Sequence, residues 1–464
     1  MGNHRRVTAG LTGTALLGTA LLAAGCSSAP ARPQHPAGLA MGVAVREPAS
    51  SPHPYGTADT AFGLDVLRAW CRQDPRSNIV FSPESLVTGL GMVYLGARSS
   101  TARAMKRVLH VPAAGNALLA GLQARSGALR ALDEPGVKLA IADQVWADPS
   151  LITRRGYLND VATGYAAGVR RVPLLTQPDQ VTRQINAAIS AATAGHIPRL
   201  LAPGSLQDIG WVLTDALYLK ASWARGFETS MTRTGQFTSA DGHRVRVRYL
   251  NGGGYRFDRA DGWTAVSLPY RGGKLSMVAL LPGSGSAGSG SGGSGAAGSG
   301  SGGFGSGGSG APGSGGSRPS CPALRPAALS KIIKGLSGTP AAGGPLSPDL
   351  AGISMPKLKL RTGADMIPLL GRLGMGIAFG PDANFTGLSP QAGAIARVVH
   401  AATLRVDEEG TVASAATAVG VLPTSLPAPP RRIITFDRPY VLLVTDTATG
   451  EPLFLARVAD PAAS

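Results

Sequence analysis

The chain has 464 residues, of which 44% are hydrophobic, enough to bury one large core or two ordinary ones. Lys and Arg total 44 against 27 Asp and Glu, which gives a net charge of +17. The basic residues form no dense run, and aromatic residues make up only 5% of the chain, which argues against a stacking platform for nucleic acid. We therefore interpret the charge as a solvated basic surface and expect no nucleic-acid partner.

Residues 1–25 have the outline of a bacterial secretion signal. The basic start "MGNHRR" precedes a small, apolar stretch, Val7–Ala24, and Cys26 follows after Gly25. Cys26 resembles the acylated cysteine of a lipobox, although Ala23 stands three residues before it where a leucine is usual. This predicts a secreted lipoprotein on the outer face of the membrane, held by a diacylglyceryl group. An ordinary transmembrane anchor is the alternative, because the stretch is near the spanning length.

Residues 26–56 are rich in Pro, Ala and Ser and predict a tether between membrane and domain. The next segment, Thr57–Gln73, has its apolar residues on one helical face. Cys71 stands beside Trp70 in this pattern, which favours a buried free thiol. A pair between Cys71 and Cys321 stays open, because nothing in the sequence brings them together.

Helical and strand patterns then alternate along the chain without regular spacing. The predicted helices are Pro83–Gly96, Ser100–His110 and Val181–Ala194. The predicted strands are Lys138–Trp146, Trp211–Lys220, Thr264–Pro269, Gly352–Leu360, Arg397–Val406 and Tyr440–Asp446. This irregular order differs from the repeating unit of a doubly wound sheet, so the fold class is predicted to be α+β.

The segment Gly283–Ser317 is almost wholly Gly and Ser, a composition that cannot form a packed core. It follows a buried-strand pattern and precedes a short amphipathic helix, "ALSKIIKGLS". An interdomain linker is one interpretation. An insertion into a surface loop is the other, since long insertions in loops cost little free energy.

A second unusual segment, Thr411–Leu422, contains neither charge nor proline. Such a run fits the middle of a buried sheet, where both are excluded. Yet it leads into "PTSLPAPPRR", Pro423–Arg432, which is typical of an exposed loop. The first pattern is typical of a buried strand and the second of an exposed loop, although the two segments adjoin.

Candidate catalytic groups do not form a convincing site. Ser354–Lys357, "SMPK", has the Ser-x-x-Lys spacing of penicillin-binding enzymes, but Pro356 and the surrounding alternation do not fit a serine at a helix start. The seven histidines form no His-x-x-x-His pair and have no cysteine at metal spacing. No phosphate loop or dinucleotide fingerprint is present. The sequence therefore gives no positive evidence for an enzyme, and we expect no metal and no cofactor.

Several segments, in one order, resemble a single family, the serpins. They are "NIVFSPESLVTGLGMVYLGARSSTARAMKRVL", "VLTDALYLKASWARGF", "VSLPYRGGKLSMVALLPG", "ISMPKLKLRT", "LGMGIAFGPDANFTGLS", "VVHAATLRVDEEGT" and "FDRPYVLLVTDTATGEPLFLARVADP". The resemblance extends from about Thr57 to Pro461, and without the Gly/Ser run its length is that of one serpin. It therefore implies an insertion at 283–317 within one domain, 57–464. The implied fold is α+β, with three β-sheets, a large mixed central sheet and eight to nine helices.

In serpins, the segment that corresponds to residues 408–432 is the reactive-centre loop, exposed as bait for a serine or cysteine protease. Cleavage forms an acyl-enzyme, and the freed loop then inserts into the central sheet and traps the protease. The resemblance thus implies an inhibitory serpin that acts as a monomeric suicide substrate of an endopeptidase. The alternatives are a noninhibitory serpin that is cleaved as a plain substrate and an unrelated cell-surface lipoprotein.

The implied hinge of this loop carries charge only at its first two positions. It consists of Glu408, Glu409, Gly410, Thr411, Val412, Ala413, Ser414, Ala415, Ala416 and Thr417. Alternation places one set on the face that would turn inward, namely Thr411, Ala413, Ala415, Thr417 and Val419. Counting from Glu408 as in the family gives a cleaved bond between Thr424 and Ser425, with Leu422 and Leu426 as fallbacks. A small or aliphatic residue at this point predicts an elastase-like or subtilisin-like target.

The resemblance also implies a sheet-opening region, which corresponds here to Ser82, Ser85, Asp215, Trp223 and His400. In serpins, two serines, an asparagine and a histidine of this region form one hydrogen-bond network. Asp215 stands where the family usually has the asparagine. An Asp–His pair at this place predicts a group that titrates near neutral pH.

Overall fold

The computed structural model describes residues 38–283, 321–336, 350–411 and 432–463. Eight α-helices lie in these ranges, with a π turn at Gly371–Met375 and 3₁₀ turns at Thr229–Met231 and Gly376–Phe379. The helices are α1 (His53–Gln73), α2 (Pro83–Tyr94), α3 (Ser99–Val108), α4 (Asn116–Arg130), α5 (Arg155–Tyr165), α6 (Pro178–Ala192), α7 (Pro326–Leu336) and α8 (Ile367–Leu370).

The starts of the first two helices follow from their end residues. Helix α1 begins four residues before the predicted start, with Pro54 in its first turn, where the missing N–H breaks no helical bond. Helix α2 begins at the predicted Pro83. Its N-cap is Ser82, whose hydroxyl accepts the backbone N–H of Ser85 at 3.0 Å. Helices α3 and α6 lie within three residues of their predicted bounds, whereas α4 and α5 were not predicted.

The described residues contain 17 strands in two sheets. The strands are β1 (Leu39–Ala40), β2 (Ile79–Phe81), β3 (Val137–Ile141), β4 (Gln144–Ala147), β5 (Val169–Arg171), β6 (Trp211–Ser222), β7 (Arg233–Thr238), β8 (Arg244–Ala260), β9 (Trp263–Pro269), β10 (Leu275–Pro282), β11 (Leu350–Pro356), β12 (Leu358–Asp365), β13 (Val398–Val406), β14 (Gly410–Thr411), β15 (Ile433–Thr435), β16 (Tyr440–Asp446) and β17 (Pro452–Val458).

The first sheet is mixed and has eight strands. Its order is β1-β5-β4-β6-β14-β13-β12, and β3 also pairs with β6. Strands β6 and β13 are parallel, and Asp215 lies opposite His400 in their register. At the far end of β6, the short β14 lies between these two strands and pairs antiparallel with each. The first sheet is therefore continuous along one part of the β6–β13 boundary and already divided at the other.

The second sheet has nine strands, in the order β15-β11-β8-β9-β10-β16-β17-β2, with β7 paired to β8. One part of β8 pairs with β7 and another with β9. Because this single strand of 17 residues pairs with both β7 and β9, it joins these strands into one sheet. The described residues thus contain two sheets rather than the expected three, while the α+β class is confirmed.

Two predicted strands are divided in the structure. The strand predicted over Lys138–Trp146 is interrupted at Ala142 and Asp143, and its halves β3 and β4 both pair with β6. The strand predicted over Gly352–Leu360 divides at Lys357, and its halves β11 and β12 join different sheets. The N–H of Lys357 bonds to a carbonyl group of β8 at 2.8 Å, which fixes the change of direction.

Residues 38–52 lie along the domain. Strand β1 pairs with β5 at the edge of the first sheet. Farther on, the backbone N–H of Val43 donates to Oδ1 of Asn159 on α5 at 2.8 Å. The backbone N–H of Val45 donates to Oγ1 of Thr163 on the same helix at 2.9 Å. The segment 26–56 was predicted to be a tether, and the structure differs from residue 38 onward because these backbone groups find partners on α5 and β5.

The first sheet is buried on both faces. Apolar residues of β6 pack with α6 on one face, and other residues of β6 pack with the second sheet on the opposite face. A strand that enters such a sheet must therefore carry side chains that tolerate burial. In the part of the chain that the structure describes, every helix is too short or too polar to cross a lipid bilayer.

Candidate functional site: the loop hinge and the sheet-opening network

The chain leaves the first sheet at the end of β13 and re-enters it after a turn of three residues. Asp407 closes this turn, because its Oδ1 accepts the backbone N–H groups of Glu409 at 3.1 Å and of Gly410 at 3.3 Å. A side chain at position 410 has no room, since a Cβ there would lie 2.1 Å from the carbonyl oxygen of Ala221 on β6. Gly410 thus allows the returning chain to touch β6 directly.

Thr411 lies between β6 and β13. It is 1% exposed, and it pairs with Val406 of β13 and Ala221 of β6. Its hydroxyl oxygen is 2.6 Å from the hydroxyl oxygen of Tyr270. The first residues after the turn are therefore already part of the sheet, and the side chain of Thr411 is hydrogen-bonded on the face that packs against the second sheet.

Trp223 holds the turn from the side of β6. Its backbone N–H donates to the carbonyl oxygen of Glu409 at 3.0 Å, and its indole Nε1–H donates to that of Asp407 at 2.9 Å. The indole is 3% exposed and stacks on Tyr270, with ring centroids 4.6 Å apart. Trp223 and Tyr270 together fix the backbone of the turn and the side chain of Thr411.

Glu408 connects the turn to the second sheet. Its carboxylate lies 2.6 Å from Nζ of Lys357 and accepts the hydroxyl of Thr232 at 2.8 Å, while its carbonyl oxygen accepts the N–H of Phe227 at 2.8 Å. Burial opposes ionisation of Glu408, but the hydrogen bonds from Lys357 and Thr232 outweigh it and hold its pKa below the usual value. Lys357, which the sequence offered as part of a penicillin-binding motif, thus binds the hinge.

Four of the five predicted sheet-opening residues meet at the start of α2, whereas Trp223 lies at the hinge turn. Nδ1 of His400 lies 2.7 Å from Oδ1 of Asp215, and Oγ of Ser85 lies 2.5 Å from the same oxygen. The backbone N–H of Ser82 donates to Nε2 of His400 at 3.1 Å. All four residues are at most 1% exposed. They join α2 to both strands that flank the inserted Thr411.

The hydrogen bonds of His400 define its tautomer. Its Nε2 accepts the N–H of Ser82 and so carries no proton, which leaves the proton on Nδ1, where it is donated to Asp215. A second proton on Nε2 would put two N–H groups face to face. The predicted Asp–His pair is therefore present, and its titration near neutral pH stays a prediction.

A second buried cluster surrounds Arg125 on α4, which sequence reasoning missed. Its guanidinium lies 2.7 Å from carboxylate oxygens of both Asp59 and Glu451, and 3.6 Å from Glu84. All four side chains are at most 2% exposed. Burial raises the pKa of Asp59 well above its usual value and that of Glu84 to about 7, against the attraction of Arg125. The cluster ties α1, α2 and α4 to the turn before β17.

Cys71 and Cys321 form a disulfide, with Cα atoms 5.7 Å apart. The prediction of a free thiol at Cys71 is wrong. Cys71 is buried as expected, but Cys321 packs against the same core cluster. The bond joins the last turn of α1 to the residues before α7. These are 250 positions apart in the sequence, so no local pattern could predict the bond.

The remaining predicted site residues lie outside the described residues. They are the lipidation site Cys26, the hinge residues Val412–Thr417, the bond between Thr424 and Ser425, and the fallbacks Leu422 and Leu426.

Solved structures place this fold among the serpins. Tengpin, a thermophilic serpin in its native state, matches with a TM-score of 0.70 at 22% identity, over 91% of this chain and 97% of its own. Human glycosylated kallistatin matches with a TM-score of 0.68 at 24% identity, over 89% of this chain and 99% of its own. At these identities the likeness shows the fold alone.

The chain belongs to the serpin family. The family model described as "Serpin (serine protease inhibitor)" matches residues 57–289 and 325–461. An uncharacterized serpin-like protein of Thermococcus kodakarensis is 28% identical over 412 residues, which are 88% of this chain and 86% of that protein. The leukocyte elastase inhibitor of Sus scrofa is 28% identical over 414 residues, which are 87% and 98% of the two chains.

Family membership places the protein among serine protease inhibitors rather than catalytic enzymes and supports a protease as its partner. It also excludes the alternative of a cell-surface lipoprotein unrelated to serpins.

Proposed function

We propose that the protein is an inhibitory serpin that acts as a suicide substrate of an endopeptidase. The nucleophile of the protease forms an ester or thioester with the carbonyl carbon of Thr424. The peptide bond breaks, and Ser425 leaves with a proton as a free amine. The freed loop then enters the first sheet between β6 and β13, before water hydrolyses the acyl bond.

One observation carries this proposal: Thr411 already occupies the space between β6 and β13, 1% exposed and paired with both. The chain that follows it, Val412–Leu422, has no charge and no proline to stop further pairing. Thirteen residues of strand, from Thr411 to Pro423, would span roughly 43 Å at about 3.3 Å per residue. That length is enough to carry an attached protease along the molecule.

We infer that the target is an elastase-like or subtilisin-like protease, and we favour a serine protease over a cysteine protease. Small and aliphatic residues surround the Thr424–Ser425 bond, and no Arg or Lys occurs from Thr411 to Pro430. A relative with 28% identity is called a leukocyte elastase inhibitor. Mass spectrometry after digestion with subtilisin is expected to identify cleavage at Thr424–Ser425. Cleavage only at another bond would revise the register of the loop.

The proposal is tested by incubating the full chain with subtilisin and, separately, with pancreatic elastase. The expected result is a complex of protein and protease that survives SDS and heating. The matched control is each protease with its active-site serine blocked, which is expected to form no complex. Complete cleavage of the loop without a complex would contradict inhibition and would identify a noninhibitory serpin.

We further propose that the protein is exported, lipidated at Cys26 and monomeric. The signal-like residues 1–25 support export, and the Cys71–Cys321 disulfide is typical of an oxidising compartment. Replacement of Cys26 by Ala is expected to release the protein from the membrane fraction into the medium, and unchanged membrane retention would contradict lipid anchoring.

Light scattering on the protein without residues 1–26 is expected to give the mass of one chain, whereas a doubled mass would refute the monomer.

A further inference from the structure

Asp143, in the break between β3 and β4, shares one hydroxyl group with Asp215. Oγ of Ser85 is 2.7 Å from Oδ1 of Asp143 and 2.5 Å from Oδ1 of Asp215. Both are hydrogen-bond distances for two oxygen atoms. A serine hydroxyl has one hydrogen to donate, so it can serve only one of the two carboxyl groups. The other carboxyl group must supply a hydrogen of its own.

The hydrogen is on Asp143. Asp215 already accepts the Nδ1–H of His400 at 2.7 Å, as expected of a carboxylate. Asp143 has no such second donor among the described residues, and its Oδ2, like that of Asp215, is buried without a hydrogen-bond partner there. The hydrogens therefore point one way: Asp143 donates to Ser85, and Ser85 donates to Asp215.

The charged groups around Asp143 favour its neutral form. Asp215 on β6 and Glu84 on α2 are its acidic neighbours, His400 stands beyond Asp215, and Arg125 on α4 is bound within its own cluster. Burial, followed by the negative charges of Asp215 and Glu84, raises the pKa of Asp143 well above its usual value. The attraction of Arg125 and the bond to the serine hydroxyl oppose this shift without cancelling it.

We propose that Asp143 is a positioning residue for loop insertion, and that its acid proton keeps β6 and β13 joined at the Asp215–His400 contact. When the proton is lost, two carboxylates face the single hydroxyl of Ser85, and their repulsion weakens the closed sheet. The weakened contact lies between β6 and β13, which the inserting loop must separate. The kinetic part of this inference rests on the proposed function. The part that concerns folding does not, because these hydrogen bonds belong to the uncleaved protein.

The sign of the pH dependence follows from the raised pKa. The unfolded chain loses the Asp143 proton at about pH 3.9, whereas the folded protein retains it to a higher pH. The stability that this group contributes is complete below about pH 4 and falls as the pH rises towards the folded-state pKa. Within that window the group changes the unfolding constant about tenfold per pH unit.

The first test is urea unfolding of the full chain and of Asp143→Asn at several values between about pH 5 and pH 9. Asparagine donates to Ser85 and has no proton to lose. The ratio of the wild-type to the variant unfolding constant is therefore expected to rise about tenfold per pH unit within the window. Parallel pH curves for the two proteins would overturn the proposal.

The matched control is Asp133→Asn, because Asp133 is an exposed carboxylate paired with Lys138. This control is expected to leave the pH dependence as it is in the wild type, and a control that flattens it as Asp143→Asn does would overturn the assignment to Asp143. Asp143→Ser makes the same comparison if the asparagine variant does not fold, since serine also donates and does not titrate in this range.

The second test follows loop insertion after a subtilisin nick, using the fluorescence of Trp223 beside the hinge. The ratio of the wild-type to the Asp143→Asn insertion rate is expected to rise with pH in the same window. A ratio that does not change with pH would overturn the positioning role. Absence of insertion in both proteins would refute the proposed function and this kinetic part, while the urea comparison still decides where the proton lies.

Discussion

Replacing Ala415 by arginine tests whether the loop enters the first sheet. Thr411 is 1% exposed between β6 and β13, and every second residue of a strand shares one face. An inserted Ala415 would therefore lie on the same buried face, and Ala415→Arg would place an unpaired charge there. The effective penalty for such a charge is several kcal/mol. At about 1.4 kcal/mol per factor of ten, about 4 kcal/mol slows insertion roughly a thousandfold.

The acyl bond at Thr424 is far from position 415 along the loop, so its hydrolysis is expected to keep its rate. We therefore expect Ala415→Arg to be cleaved by subtilisin without forming an SDS-stable complex. Val412→Arg carries the same charge on the opposite face, where it would lie across from the half-buried Lys220 of β6, and is the matched control, expected to retain the complex. Gel electrophoresis at several ratios of inhibitor to protease measures both. Equal complex formation by Ala415→Arg and the wild type would refute insertion in this register.

Three further outcomes are expected. Arg125→Met leaves the carboxyl groups around it without their cation and should lower the unfolding free energy by about 3–5 kcal/mol; a loss below about 1 kcal/mol in urea would contradict a role of the ion pairs in stability. Replacing Cys71 and Cys321 by serine should cost about 2–4 kcal/mol in the same assay, and unchanged unfolding would show that the disulfide does not form. If the Asp–His hypothesis holds, His400→Gln should change the pH dependence of loop insertion; an unchanged profile would contradict that hypothesis.

Local patterns were enough for many elements of this fold. Strand β16 has its predicted bounds, and α2 begins at its predicted residue, because apolar periodicity and a capping serine lie within a few residues of each other. The divided strands could not be predicted in this way. Their breaks at Asp143 and Lys357 depend on partners elsewhere, namely the hydroxyl of Ser85 and a carbonyl group of β8.

The site was predicted as far as the family resemblance reached. It led to the hinge at Glu408–Thr411 and to five sheet-opening residues, four of which the structure brings together while Trp223 lies at the hinge. It did not lead to Arg125, because Glu451 lies 326 residues away along the chain. Nor did it lead to the disulfide of Cys71, whose partner is 250 residues distant. Contacts between residues so far apart in the sequence can be identified only in the folded structure.

The most direct measurement compares the thermal unfolding of the intact protein with that of the protein nicked once in its loop by subtilisin. If the uncleaved molecule is held short of its lowest free energy, the nicked protein gains a buried strand and melts at a higher temperature. A nicked protein that melts at the same temperature as the intact one, or lower, would contradict insertion and with it the proposed trapping of the protease.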